Sequence, residues 1–140
     1  MPKLIKKLLD PKLGLVLAVI YTLALLLLSL ISLQGLPQAE VENADKIFHT
    51  LAYAGLTFLW YLQYFSRSTR NKKRLKKKPL LLICLAIVLF GIFIEVLQES
   101  ITAYRTFDVW DITANFLGTL LALMVILALE PKLEKVKKKL

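Results

Sequence analysis

Four long apolar runs alternate with short polar links along the chain. Residues 13–33 read LGLVLAVIYTLALLLLSLISL and carry no charge. At ~1.5 Å per residue a helix of that length spans roughly 30 Å, the thickness of a bilayer core. Lys3, Lys6, Lys7 and Lys12 precede it, as they would a signal peptide. The run is longer than a signal-peptide apolar region, and no A-x-A cleavage site follows. It predicts an uncleaved first transmembrane helix. Residues 34–45 form a loop with Gly35, Pro37, Glu40, Glu42 and Asp45, where Asn43 or Asp45 is placed to cap the next helix. That second helix covers 46–65 and is less uniformly apolar. Trp60, Tyr61, Tyr64 and Phe65 crowd its far end and predict an interfacial aromatic belt. Residues 66–79 form a basic loop, and 80–98 form the third helix. A polar link at 99–108 leads to a fourth helix at 109–129, with Pro131 as its stop. The fold class this predicts is all-α: a single domain over 1–140, a polytopic membrane protein built as a compact bundle of four transmembrane helices.

Composition agrees with this reading. The chain is 57% hydrophobic, above the roughly 45–50% usual for soluble domains. Its mean hydropathy is +0.62. The net charge of +9 would suggest nucleic acid in a soluble protein. Here the positive charge alternates with apolar runs, so topology explains it better and nucleic acid is not an expected partner. Four Lys precede the first helix, eight Lys and Arg fill residues 66–79, and five Lys lie after residue 129, out of 19 basic residues in all. Cytoplasmic loops carry the Lys/Arg excess. Both termini and the loop 66–79 are therefore expected in the cytoplasm, with loops 34–45 and 99–108 on the outer side of the cell membrane. The basic loop also suits anionic lipid head groups. The single Cys84 lies in an apolar run and reads as packing; no zinc-type Cys/His spacing exists.

This orientation collects the polar residues. His49, Glu95, Gln98, Glu99, Asp108, Asp111 and Asn115 all fall within about 10 Å of the outer surface, counting helical rise. Asp45, His49 and Tyr53 share a face of the second helix. Glu95 shares a face of the third with Gln98 and Glu99. Asp108, Asp111, Asn115 and Gly118 share a face of the fourth. Ionisable groups at membrane depth face the bundle interior and mark functional sites by default. Gly118 and Ala122 form a small-xxx-small pair that permits close helix approach, and Gly91 offers the same on the third helix.

These residues resemble the VanZ-like membrane protein family, named for the teicoplanin-resistance protein. One block reads DKIFHTLAY and matches the family's pattern at Asp45, Lys46, His49 and Tyr53. The other reads GIFIEVLQESITAYRTFDVWDITANFLG and matches at Gly91, Glu95, Gln98, Arg105, Asp111, Asn115 and Gly118. Ala122 stands where relatives often carry a second glycine. The resemblance implies a cell-envelope protein and an association with lowered susceptibility to lipoglycopeptide antibiotics.

Three functional readings follow. In the first, a pocket near the outer leaflet binds or modifies a lipid-linked or phospholipid head group. Lys46, His49 and Arg105 meet phosphate, Glu95, Asp111 and Asn115 orient them or meet sugar or amine groups, and Asp45, Tyr53 and Gln98 are further ligand-binding candidates. Membrane lipids are then the partners, with a lipid-linked wall precursor or a lipoglycopeptide among the candidates. In the second, the protein is an intramembrane hydrolase or transferase with His49 as general base beside Glu95 or Asp111. No nucleophile motif or HExxH is present. A His/Glu/Asp set also has the donors for a divalent metal, but the expectation is no metal and no cofactor. In the third, the polar faces only register the helices. Four helices enclose little interior, which leaves a homodimer open as the assembly.

Overall fold

Asp10 starts the first helix. Its carboxylate accepts from the backbone N–H of Lys12 at 2.9 Å, and Pro11 occupies the first turn, where its missing N–H removes no helical bond. The computed structural model describes residues 9–31, 44–102 and 106–139. These contain four α-helices and no strand: α1 (Pro11–Leu30), α2 (Ala44–Arg70), α3 (Lys77–Ile101) and α4 (Val109–Lys138). Among the described residues α1, α3 and α4 are long and apolar enough to cross a membrane. With 27 residues α2 is long enough, but its polar residues keep it below that threshold. Its position explains why this is tolerated. It contacts all three other helices, α4 most extensively. Protein, rather than hydrocarbon, surrounds much of its polar surface.

The outward side chains are apolar. Phe48 is 68% exposed and Trp110 71% exposed, alongside many Leu and Val of α1, α3 and α4. A water-soluble monomer rarely shows apolar surface on that scale. The protein is a membrane protein.

Packing is tightest where α2 crosses α4. A Cβ built on Gly118 would lie 2.1 Å from the Thr50 carbonyl oxygen and 3.1 Å from the Ala54 nitrogen. Only glycine lets the two backbones meet there. Ala122, one turn on, is buried in the same seam. Hydrogen bonds tie α1 to the bundle: Tyr21 donates to the Ala52 carbonyl at 3.1 Å, and Trp60 donates to Thr22 Oγ1 at 3.1 Å.

Several expected boundaries and roles are corrected. Asp45 lies inside the first turn of α2 and does not cap it; Asn43 and most of the 34–45 loop lie outside the described residues. The aromatic end of α2 is not a belt. Tyr61 and Phe65 pack into a core with Leu75, Leu80, Cys84 and Ile126. Trp60 is spent on Thr22, and Tyr64 closes a pair of hydrogen bonds with the Lys76 backbone. The basic loop is shorter than residues 66–79, because α2 runs on to Arg70 and α3 begins at Lys77. Lys72, at φ 52°, ends α2, with its N–H on the Thr69 carbonyl and that of Lys73 on the Ser68 carbonyl. This is the paired helix-end bonding that usually carries glycine.

Pro131 does not stop α4, which continues to Lys138. A proline there removes one backbone bond and crowds the preceding turn. Tertiary contacts beyond it hold the last turns. Leu133 packs on the core, Glu134 accepts from the Leu75 N–H at 3.0 Å, and Lys137 donates to Ser68 Oγ and to the Lys73 carbonyl.

Candidate functional site

The polar residues of three helices meet at the end of the bundle where α3 hands over to α4. Asp108 fixes the start of α4, its carboxylate accepting from the Trp110 N–H at 2.8 Å. The other Asp108 oxygen accepts from Lys46 Nζ at 2.6 Å. Lys46 also donates to Asp45 at 2.9 Å and to Asp111 Oδ1. An ammonium has three N–H donors, and all three are engaged. Asp45 and Asp108 lie at the rim, whereas the Asp111 side chain is only 13% exposed. The hydrogen bond from Lys46, helped by the Trp110 N–H, holds the Asp108 carboxyl below the usual carboxylate range.

His49 lies one turn below Lys46 on the same face of α2. Its Nδ1 is 2.9 Å from Asn115 Oδ1, and its Nε2 is 3.6 Å from Asp111 Oδ2. Glu95 of α3 is buried, 1% exposed, and its carboxylate lies close to His49 and Asp111. One ligand atom each from His49, Glu95 and Asp111 falls within a 4.8 Å span. Tyr53 and Asn115 are buried. A Cβ on Gly91 would meet Tyr53 Cε1 at 3.0 Å and Asn115 Nδ2 at 3.2 Å, so this glycine makes room for both. The Tyr53 hydroxyl and Asn115 Nδ2 are buried without a hydrogen-bond partner among the described residues. Such groups are costly to leave unpaired.

The structure thus brings together Asp45, Lys46, His49, Tyr53, Glu95, Asp111 and Asn115 from the residues picked out in the sequence. Two others stand apart. Gln98 turns to α1, where its Nε2 donates to the Ser29 carbonyl at 2.7 Å and so joins two helices. Glu99 is exposed. Arg105 lies outside the described residues. Asp108 was expected at the same depth but not as a site residue. Its position just before a helix start, the usual place of a capping carboxylate, was the available signal.

A cavity of about 500 Å³ opens between α2 and α4 beside this cluster. Lys46 lies at its polar end, and Ile47, Leu51, Trp110 and Leu117 form apolar walls.

The profile of the VanZ/LLP1 family matches residues 12–130. A Schizosaccharomyces pombe protein, called only uncharacterized protein C11E3.10, is 37% identical over 102 residues. That stretch is 72% of this chain and 58% of the yeast protein, so the chain spans less than two thirds of that relative. No solved structure matches. The profile reaches all four helices and covers both blocks that build the polar cluster, and on that ground the chain belongs to the VanZ/LLP1 family.

Proposed function

We propose that the protein binds the head group of an amine-bearing phospholipid at the polar end of the α2–α4 cavity. One observation carries this reading: the cavity joins an ionic rim to apolar walls that continue into the lipid-facing surface. That is the shape of a lipid, with a charged head and an apolar chain. Acyl carbons lie along Ile47, Leu51 and Leu117, and the head group reaches the rim.

Charge selects the head group. Asp45, Asp108 and Asp111 all pair with the ammonium of Lys46, and Glu95 lies beyond it, near His49 and Asp111. The excess is negative, so an ammonium group is favoured over a bare phosphate. The lipid amine lies toward Asp45 and Asp108, the two rim carboxylates. A relative in a yeast also favours a common phospholipid over a bacterial wall precursor.

The site opens to the outer leaflet, because the basic residues gather at the opposite end of the bundle. A reporter fused at Arg74 then reads cytoplasmic, and one at Phe107 reads external. Any effect on lipoglycopeptide susceptibility follows from altered head groups on that leaflet.

The test is mass spectrometry of lipids that co-purify with the protein. Wild type retains amine-bearing phospholipid above its bilayer share, and Asp45→Asn with Asp108→Asn loses the enrichment. Retained lipid of bulk composition in both proteins overturns the reading. It would then favour a purely structural network, which the Gln98–Ser29 bond supports.

A further inference from the structure

We propose that His49 Nε2, a Glu95 carboxylate oxygen and Asp111 Oδ2 form a binding site for a divalent first-row transition ion. Three features carry the assignment, and none of them requires the lipid reading.

The first is spacing. Two ligand atoms about 2.1 Å from one tetrahedral ion lie roughly 3.4 Å apart. His49 Nε2 and Asp111 Oδ2 are 3.6 Å apart. This is long for a hydrogen bond and close to the separation of two metal ligands. One ligand atom each of His49, Glu95 and Asp111 lies within 4.8 Å of the others, at most roughly 1.4 Å beyond that separation, which carboxylate torsions close.

The second is orientation. In the neutral imidazole, donation from His49 Nδ1 to Asn115 Oδ1 leaves the Nε2 lone pair toward Asp111. Metal-bound histidines are held in this way, with the far ring nitrogen donating to a neighbouring oxygen. In that tautomer Nε2 and the carboxylate face each other lone pair to lone pair. A cation between them turns that repulsion into two bonds.

The third is charge and access. Two carboxylates and a neutral imidazole carry −2, which a divalent ion balances. Lys46 holds the other Asp111 oxygen and leaves Oδ2 to the ion. Glu95 is buried while His49 and Asp111 are partly exposed, so the ion reaches the site from the rim. One nitrogen and two oxygen donors suit zinc, manganese or iron better than magnesium or calcium. Three protein ligands fill part of a four-coordinate shell, and a solvent or ligand oxygen completes it.

The experiment uses full-length protein in detergent, stripped of metal and of phospholipid, then dialysed against zinc. Wild type is expected to retain about one zinc per chain and to melt at a higher temperature with zinc than without. Glu95→Gln is expected to weaken binding at least tenfold, and Asn115→Ala by about 10- to 100-fold through the second layer. Cobalt in wild type should give the visible bands of a four-coordinate nitrogen–oxygen site, with no thiolate band from Cys84. Zinc held equally by folded Glu95→Gln overturns the assignment, as does wild type that retains none. If Glu95→Gln fails to fold, the cobalt spectrum decides, and a featureless or thiolate-type spectrum contradicts the proposal.

Discussion

His49 Nδ1 of α2 and Asn115 Oδ1 of α4 meet at 2.9 Å across the close α2–α4 crossing at Gly118. The contact depends on glycine twice. Gly118 lets the α2 and α4 backbones approach, and Gly91 leaves space for the Asn115 amide. The imidazole is thereby held at one depth and one angle, facing Asp111.

Replacing Asn115 with Leu should leave the His49 Nδ1–H without its acceptor in a partly buried site. An orphaned donor of this kind costs about 1–3 kcal/mol. The expected result is a lower melting temperature in detergent that His49→Leu in the same chain partly recovers. Simple addition of the two losses would mean that the residues do not interact.

Gly118→Ala should be far more damaging than its one methyl group suggests. The new Cβ would meet the Thr50 carbonyl, which is backbone and has no rotamer to escape into. α2 and α4 must separate, and the variant should lose folded yield or most of its thermal stability. Ala122→Gly, in the same seam, should lose only about 1 kcal/mol through helix propensity. Equal behaviour of the two variants in a thermal melt would argue against the close crossing.

Acid should weaken the rim. Lys46 holds the Asp108 carboxyl below its ordinary range in the folded protein. A depressed carboxyl contributes stability above its unfolded value, and this is lost as pH falls through the folded one. Melting temperature should therefore drop as pH falls below about 4, the ordinary carboxylate range. Asp108→Asn should be less stable than wild type at neutral pH, with a shallower drop in acid. A melt-versus-pH curve of the same slope for both proteins would remove the role given to this pair. Because Asp108 is a rim residue, salt should shrink the difference.

Lys72→Gly should stabilise the bend between α2 and α3. Lysine there occupies the left-handed region at φ 52°, which glycine reaches without the crowding of a Cβ. A rise of a few degrees in melting temperature is expected. A fall would show that the lysine side chain matters more than the backbone.

Much of the site was legible in the sequence. His49, Glu95, Asp111 and Asn115 interrupt otherwise apolar helices, and helical spacing puts each on an inward face at similar depth. Hydrocarbon leaves such residues few other places to go. What the sequence hid was partner choice. Gln98 shares the face of Glu95 but bonds the Ser29 carbonyl, near the last turn of α1. Helical phase alone cannot reveal a bond to another helix. The aromatic end of α2 looked interfacial because Tyr and Trp favour head-group depth, whereas a core formed with Leu75 and Ile126 draws Tyr61 and Phe65 inward. Pro131 looked like a helix stop because its local penalty is visible in sequence, while the compensating Glu134 and Lys137 contacts are tertiary.

The central claim is that the α2–α4 cavity selects a lipid by its head group. Photo-crosslinking in native membranes tests it most directly, with the reactive residue placed at Thr113 in the cavity lining or at Leu85 on the exposed face of α3. Captured lipid at Thr113 should be enriched in amine-bearing head groups over the bilayer average, while Leu85 samples that average. The same lipid composition at both positions would contradict the claim.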